Sequence, residues 1–155
     1  KEKGLHDLEA FSRSLSADEA MVIVGLTRAQ CRRFREHGVI TVTRTENLSA
    51  LCALYTVGDV LINPTYEDTF PTVNLEAQAW GCPIVTYETG GSPDSLRRQT
   101  GIVVKRGDRS ALREAITMMK KRDRKKTKEA CIQNAAGYAL GRMLKAYAEL
   151  YEEVK

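Results

Sequence analysis

Short unbroken apolar runs alternate along this chain with stretches whose apolar residues recur every three or four positions. Leu5, Leu8, Phe11 and Leu15 have the second pattern and predict a helix after Gly4. Residues 20–25 (AMVIVG) have the first and predict a strand buried on both faces. Thr27 is placed to cap a helix that ends near Gly38. Residues 39–43 predict a second strand, 47–55 a short helix, and 59–63 a third strand stopped by Pro64. Further strands are expected over 83–87 (PIVTY) and 101–104. Asp108 caps a helix to about Met119, and two more helical stretches follow, the last over 142–154. Strict alternation of strand and helix implies right-handed crossovers and an α/β fold, a Rossmann-like parallel sheet flanked by helices. Residues 121–155 form a C-terminal helical extension of one domain.

Composition narrows the classes. A chain of 155 residues with 43% hydrophobic and 28% charged residues has enough apolar surface for a core without disulfide or metal staples. No apolar run has the length of a membrane span, and no signal-peptide pattern opens the chain. The abrupt start at KEKGLHDLEAF, in a loop entering a helix, reads as a fragment. Cysteines 31, 52, 82 and 131 form no CxxC pair, and only His6 and His37 could join them, so no metal site is expected. Buried, reduced thiols and a cytoplasmic protein are the corresponding expectation.

The net charge of +4 is unevenly placed, because residues 120–128 (KKRDRKKTK) hold seven cations. Nucleic acid, an anionic membrane surface and a merely solvated helix connection are the three readings. No aromatic residue interleaves with those charges, as stacking on bases requires, so a nucleic-acid partner is not expected.

Candidate chemistry concentrates in residues 63–91. A helix is expected from Pro71 or Thr72 to Trp80, with Gly81 as its stop. On that helix Glu76 falls opposite Asn74 and Gln78, among Thr72, Val73, Ala79 and Trp80, a face expected to be apolar. A carboxylate there is either structural, bonded to amides or an arginine, or held to accept the two hydroxyls of a ribose. Asp68, eight residues earlier, is either a helix cap or a ligand for sugar hydroxyls. The loop Glu67-Asp68-Thr69-Phe70 leads into a helix start, where N–H groups face outward. Phe70 reads as a hydrophobic anchor. Gly90-Gly91 allows close backbone approach to a ligand, or makes a plain turn. Sequence signatures for a dinucleotide fold, P-loop, zincin or serine hydrolase are absent.

Together these residues resemble the C-terminal, donor-binding domain of the retaining glycosyltransferases of family 4 (group 1), which have the two-domain GT-B fold. The family's E-x7-E signature is similar to Asp68-Thr-Phe-Pro-Thr-Val-Asn-Leu-Glu76, and the likeness continues through Ala77, Gly81, Pro83 and Gly90-Gly91. Residues 58–64 (GDVLINP) resemble the strand leading into the signature, and Lys3-Gly4-Leu5 resembles the lysine-glycine turn that grips the donor diphosphate. The resemblance spans about residues 3–116. It implies that Glu76 accepts from ribose hydroxyls, Asp68 holds a hydroxyl of the donor sugar, and Lys3 neutralises the departing diphosphate in place of a metal. It further implies that backbone amides from Phe70, Pro71, Thr72 and Val73 face the sugar and diphosphate, except that Pro71, where the family often has glycine, has no N–H to offer. Gly90 and Gly91 would flank the donor, and Arg44, Thr45 and Leu48 would lie against the nucleobase. Asp rather than Glu opens the signature, so the reach of that carboxylate is shorter or Glu67 shares its task.

By the same resemblance the partners are a nucleoside-diphosphate sugar and a glycan or lipid-linked acceptor used in surface polysaccharide biosynthesis. The acceptor would bind an N-terminal domain that this chain lacks, along with the family's strand before the lysine turn, so the fragment alone would transfer little. Peripheral association with the inner membrane is a further expectation. Two rivals are a nucleotide-sugar epimerase of the same overall fold and a non-catalytic signalling or nucleotide-binding module. The second needs an acidic pair after its first strand, where this chain has Gly25-Leu26-Thr27.

Overall fold

The apolar runs become five short strands: β1 (Val22–Val24), β2 (Ile40–Val42), β3 (Leu61–Asn63), β4 (Ile84–Tyr87) and β5 (Gly101–Val104). The computed structural model describes residues 3–153. All pairings are parallel, β1 with β2 in one sheet and β3-β4-β5 in another. Between and after them run α1 (Leu5–Ser12), α2 (Arg28–Arg35), α3 (Leu48–Val57), α4 (Thr72–Ala79), α5 (Arg109–Lys120), α6 (Arg124–Ala136) and α7 (Leu140–Glu153). The expected end of the last helix at Val154 lies outside the described residues. One apolar cluster links the two sheets, from Ile23 and Phe34 through Val85 and Tyr87 to Leu112, Ile116 and Met119 of α5.

Helix starts follow local capping chemistry. Thr27 and Gln30 form a reciprocal capping box on α2, and Asn47, Asp108 and Asp123 accept from free N–H groups of α3, α5 and α6. Only α1 and α4, the two helices that approach the candidate site, lack a side-chain cap among these helices with described N-caps.

Two expectations are corrected by the packing. β1 is buried on one face alone: Ile23 points into the core, while Val22 and Val24 remain 41% and 36% exposed. β4, flanked on both sides by strands, is buried along its whole length. The second correction concerns α4. Its buried face carries Asn74, Ala77 and Gln78, and Glu76 stands on the exposed side with Trp80. The polar face goes inward because it is satisfied there. Asn63 Nδ2 donates to Asn74 Oδ1 (2.9 Å), and Asn74 Nδ2 donates to Ser95 Oγ (3.0 Å). Gln78 donates to the Asn74 and Ser95 carbonyls, and Asn134 of α6 donates to Gln78 Oε1 (2.7 Å). A fully bonded amide chain removes the desolvation penalty that otherwise keeps such residues outside. It also seats α6 on the domain through Asn134.

Candidate functional site

In a parallel α/β sheet, ligands bind at the carboxyl ends of the strands. At that end of the β3-β4-β5 sheet the chain makes two close backbone crossings. Gly4 has φ 65°, and a β-carbon on it would fall 1.9 Å from the Pro64 carbonyl oxygen just after β3. Gly90, φ 47°, would bring one to 1.8 Å from the Asp68 carbonyl oxygen. Gly91 N–H donates to the Thr69 carbonyl (2.9 Å), so the paired glycines clamp the loop that carries Asp68. Sequence reasoning offered a ligand or a plain turn as the reason for these glycines. Their neighbour in the structure is the protein's own backbone.

Those crossings bring Lys3 to Asp68, with Lys3 Nζ donating to Asp68 Oδ2 at 2.8 Å. Asp68 is therefore not the cap of α4. The N-cap position is Pro71, which offers no side-chain acceptor, and the first N–H groups of α4, at Thr72 and Val73, are left without a cap. Phe70 behaves as an anchor: its ring meets that of Tyr138 at 5.8 Å between centroids and lies against Gly91. The result is an ion pair beside an uncapped helix start, held by a glycine clamp and an aromatic contact.

Glu76 lies one turn further along α4, on the exposed side. It faces Tyr55 of α3: burial and then the Glu76 charge push the Tyr55 hydroxyl up to about 12. Arg44 and Thr45 follow β2, and Leu48, 74% exposed, opens α3. Glu76 is thus on the α3 side of α4, and Lys3-Asp68 is at its start. No contact joins Arg44, Thr45 or Leu48 to the Lys3–Asp68 pair among the described residues.

Sequence reasoning missed Asp7. This carboxylate is 1% exposed and accepts from Tyr66 Oη (2.7 Å), Tyr87 Oη (3.0 Å) and Arg109 Nε (2.5 Å). Arg109 also contacts His6 Nδ1 at 2.7 Å. Burial works against ionisation of Asp7, but the bonds from Tyr66, Arg109 and Tyr87 outweigh it and hold its carboxyl below the usual range. Burial and the same carboxylate push the Tyr87 hydroxyl up. The network ties α1 to the β3–α4 loop, β4 and α5, and so fixes where Lys3 and Gly4 sit. Periodicity gave no signal of it, since Asp7 lies in the first helical turn, where acids are common on the surface. Among the described residues, no group of three or more His, Cys, Asp or Glu is arranged to hold a metal ion.

This arrangement of parallel strands wrapped by helices is that of a GT-B glycosyltransferase C-terminal domain. Residues 1–121 match the family model described as "Glycosyl transferases group 1", and the chain belongs to that family. It is 26% identical over 126 residues to the capsular polysaccharide biosynthesis glycosyltransferase CapM of Staphylococcus aureus, covering 75% of this chain and 33% of that protein. Against a D-inositol 3-phosphate glycosyltransferase of Corynebacterium jeikeium, identity is 32% over 107 residues, 67% of this chain and 26% of that one. Among solved structures, a glycosyltransferase from Rickettsia africae superimposes with a TM-score of 0.81 at 21% identity, over 99% of this chain and 45% of that one. Anabaena HepE in complex with UDP-glucose gives 0.71 at 20%, over 98% and 45%. The chain thus spans about a third or less of these curated relatives, and under half of these solved chains.

Proposed function

We propose that this domain binds the nucleoside-diphosphate sugar of a retaining, family 4 hexosyltransferase whose acceptor is a glycan or lipid-linked glycan in surface polysaccharide biosynthesis. The observation that carries the reading is the Lys3–Asp68 pair beside the uncapped start of α4. A diphosphate placed there meets one ammonium and outward N–H groups, and a sugar hydroxyl meets Asp68. Glu76, exposed on the α3 side, is free to accept from the ribose hydroxyls, and Arg44, Thr45 and Leu48 are the candidates for the nucleobase. Pro71 supplies no N–H, so Thr72 and Val73 act with the Phe70 amide.

In this mechanism Lys3 stabilises the charge that builds on the diphosphate as the glycosidic bond breaks, which is preorganised electrostatic stabilisation without a divalent metal. Asp7 does not touch the donor; it positions Lys3. The acceptor reaches the donor sugar from the part of the protein beyond this domain, and reaction occurs at the cytoplasmic side. Names of relatives support the polysaccharide context: CapM, and the putative teichuronic acid biosynthesis glycosyltransferase TuaC of Bacillus subtilis, 28% identical over 119 residues. UDP-glucose in the HepE complex supports a nucleotide-sugar donor.

The test is ligand-observed NMR of this domain with UDP-, GDP- and ADP-sugars, with and without EDTA. One of the three should show saturation transfer at the ribose and sugar protons, unchanged by the chelator. Binding that requires a divalent ion would overturn the role given to Lys3.

A further inference from the structure

Residues 67–70, the loop that presents Asp68, are held at few points. Thr65 Oγ1 donates to the Glu67 carbonyl, Gly91 N–H donates to the Thr69 carbonyl, and Asp68 pairs with the exposed ammonium of Lys3. Phe70 is the one apolar side chain among these residues. Where its ring packs therefore decides where the loop lies.

The ring packs on Tyr138, in the turn between α6 and α7. Their centroids are 5.8 Å apart and their planes meet at 41°, within the range in which aromatic pairs attract beyond their buried area. Gly91 leaves room for the contact, since a β-carbon on it would fall 2.9 Å from Phe70 Cδ2. Tyr138 also reaches the segment that clamps the loop: its Oη donates to the Asp94 carbonyl at 2.7 Å. Asn134, in the last turn of α6, donates to the Ser95 carbonyl at 3.0 Å. Gly91, Asp94 and Ser95 all follow β4, so the α6–α7 corner grips that segment with two hydrogen bonds and the Asp68 loop with one ring.

This contact lies outside the core. Neither Phe70 nor Tyr138 belongs to the two buried apolar clusters, and Tyr138 is 37% exposed. What the pair does is join a C-terminal turn to the residue two places after Asp68, whose own amide faces the proposed donor. We propose, on the donor reading above, that Tyr138 is a positioning residue for the donor sugar, holding Asp68 and the Phe70 amide in place through the Phe70 ring. Glu76 on α4 and Lys3 before α1 stand outside the contact, so the hold on the nucleoside diphosphate should depend little on Tyr138.

The test is calorimetric titration of the parent, Tyr138→Leu and Tyr138→Phe with UDP, GDP and ADP, and with UDP-glucose, GDP-mannose and ADP-glucose. For the base that binds, the readout is the affinity for the nucleotide-sugar divided by that for the nucleoside diphosphate. A general loss of stability lowers both affinities and leaves their ratio unmoved. Tyr138→Leu should lower the ratio about tenfold, the upper worth of an aromatic pair, with diphosphate affinity close to the parent's. Tyr138→Phe keeps the ring and should restore most of the ratio. In a Phe70→Leu background, Tyr138→Leu should lower it no further, as expected for residues that act through one contact. Amide hydrogen exchange supplies a ligand-free arm: residues 67–70 should exchange faster in Tyr138→Leu than in the parent or Tyr138→Phe. An unchanged ratio, an equal loss for both ligands, an undiminished effect in Phe70→Leu, or unchanged exchange would overturn the role of Tyr138 and leave the donor reading standing. A parent that binds none of the three nucleotides overturns the donor reading, and the role of Tyr138 with it.

Discussion

Lys3 Nζ lies 2.8 Å from Asp68 Oδ2, a contact between residues at the start of α1 and in the β3–α4 loop. Lys3 is 74% exposed and Asp68 16%. An ion pair so open to water contributes about 0–1 kcal/mol to stability. Its value is positional, since it holds an ammonium where the proposed diphosphate would sit. A bound diphosphate must compete with Asp68 for that ammonium. Asp68→Asn should therefore leave the melting temperature nearly unchanged and bind the nucleoside diphosphate at least as tightly as the parent. It should lose the added affinity for the sugar, about 1.5–3 kcal/mol for a hydrogen bond to a charged group. Parallel titrations with nucleotide and nucleotide-sugar measure both terms.

Gly90→Ala should weaken both fold and donor binding. The new methyl meets the Asp68 carbonyl oxygen at 1.8 Å and adds a left-handed backbone penalty of about 1–2 kcal/mol. Gly25→Ala is the control: φ is 92° there as well, but nothing lies within 4 Å of the new atom. Thermal melts should show the larger loss at Gly90, and only that variant should lose donor affinity.

Asn74→Leu keeps the branched outline and heavy-atom count of the side chain and removes the centre of the buried amide chain. Asn63 Nδ2 loses its acceptor, and Ser95 Oγ loses one donor while it still donates to Ser92. The expected cost is about 1–3 kcal/mol for each buried polar group left unsatisfied. Urea denaturation should show the drop with an unchanged slope.

Acid should destabilise the domain through Glu19. Burial raises this carboxyl, but bonds from Arg113, Lys120 and Ser16 outweigh that and bring it to about 2, from an ordinary 4.5. A carboxyl depressed on folding adds stability that is present above about 4.5 and is lost as the pH falls toward 2. Glu19→Gln removes that contribution at neutral pH. Its stability should decline less steeply than the parent's between about pH 5 and 2, as read by melting temperature against pH.

The order and type of the elements were legible because each depends on local pattern. Residues 101–104 form the expected strand, and the caps at Thr27, Asn47 and Asp108 begin the expected helices. What pattern could not show was which face of a short helix turns inward. In α4 the hydrophobic positions suggested a buried Glu76, whereas Asn74 and Gln78 are the buried residues, satisfied by Asn63, Ser95 and Asn134 from three distant segments. The exposure of β1 was hidden for a related reason: an apolar run does not state whether both faces of its strand will be covered. At the site, Lys3 and Asp68 were each named from sequence, but their contact is a long-range consequence of the crossings at Gly4 and Gly90. Asp7 was invisible, because its partners Tyr66, Tyr87 and Arg109 are 59 to 102 positions away.

The most direct measurement is calorimetric titration of the domain with UDP, GDP and ADP, repeated with Glu76→Ala. Glu76 is exposed and has no structural partner among the described residues that its loss would strand, so the variant should melt within about 0.5 kcal/mol of the parent. The account predicts that one nucleotide binds, and that Glu76→Ala weakens it by about 1.5–3 kcal/mol, roughly 10- to 150-fold. A parent that binds none of the three, or a Glu76→Ala variant that binds the nucleotide as tightly as the parent, would contradict it.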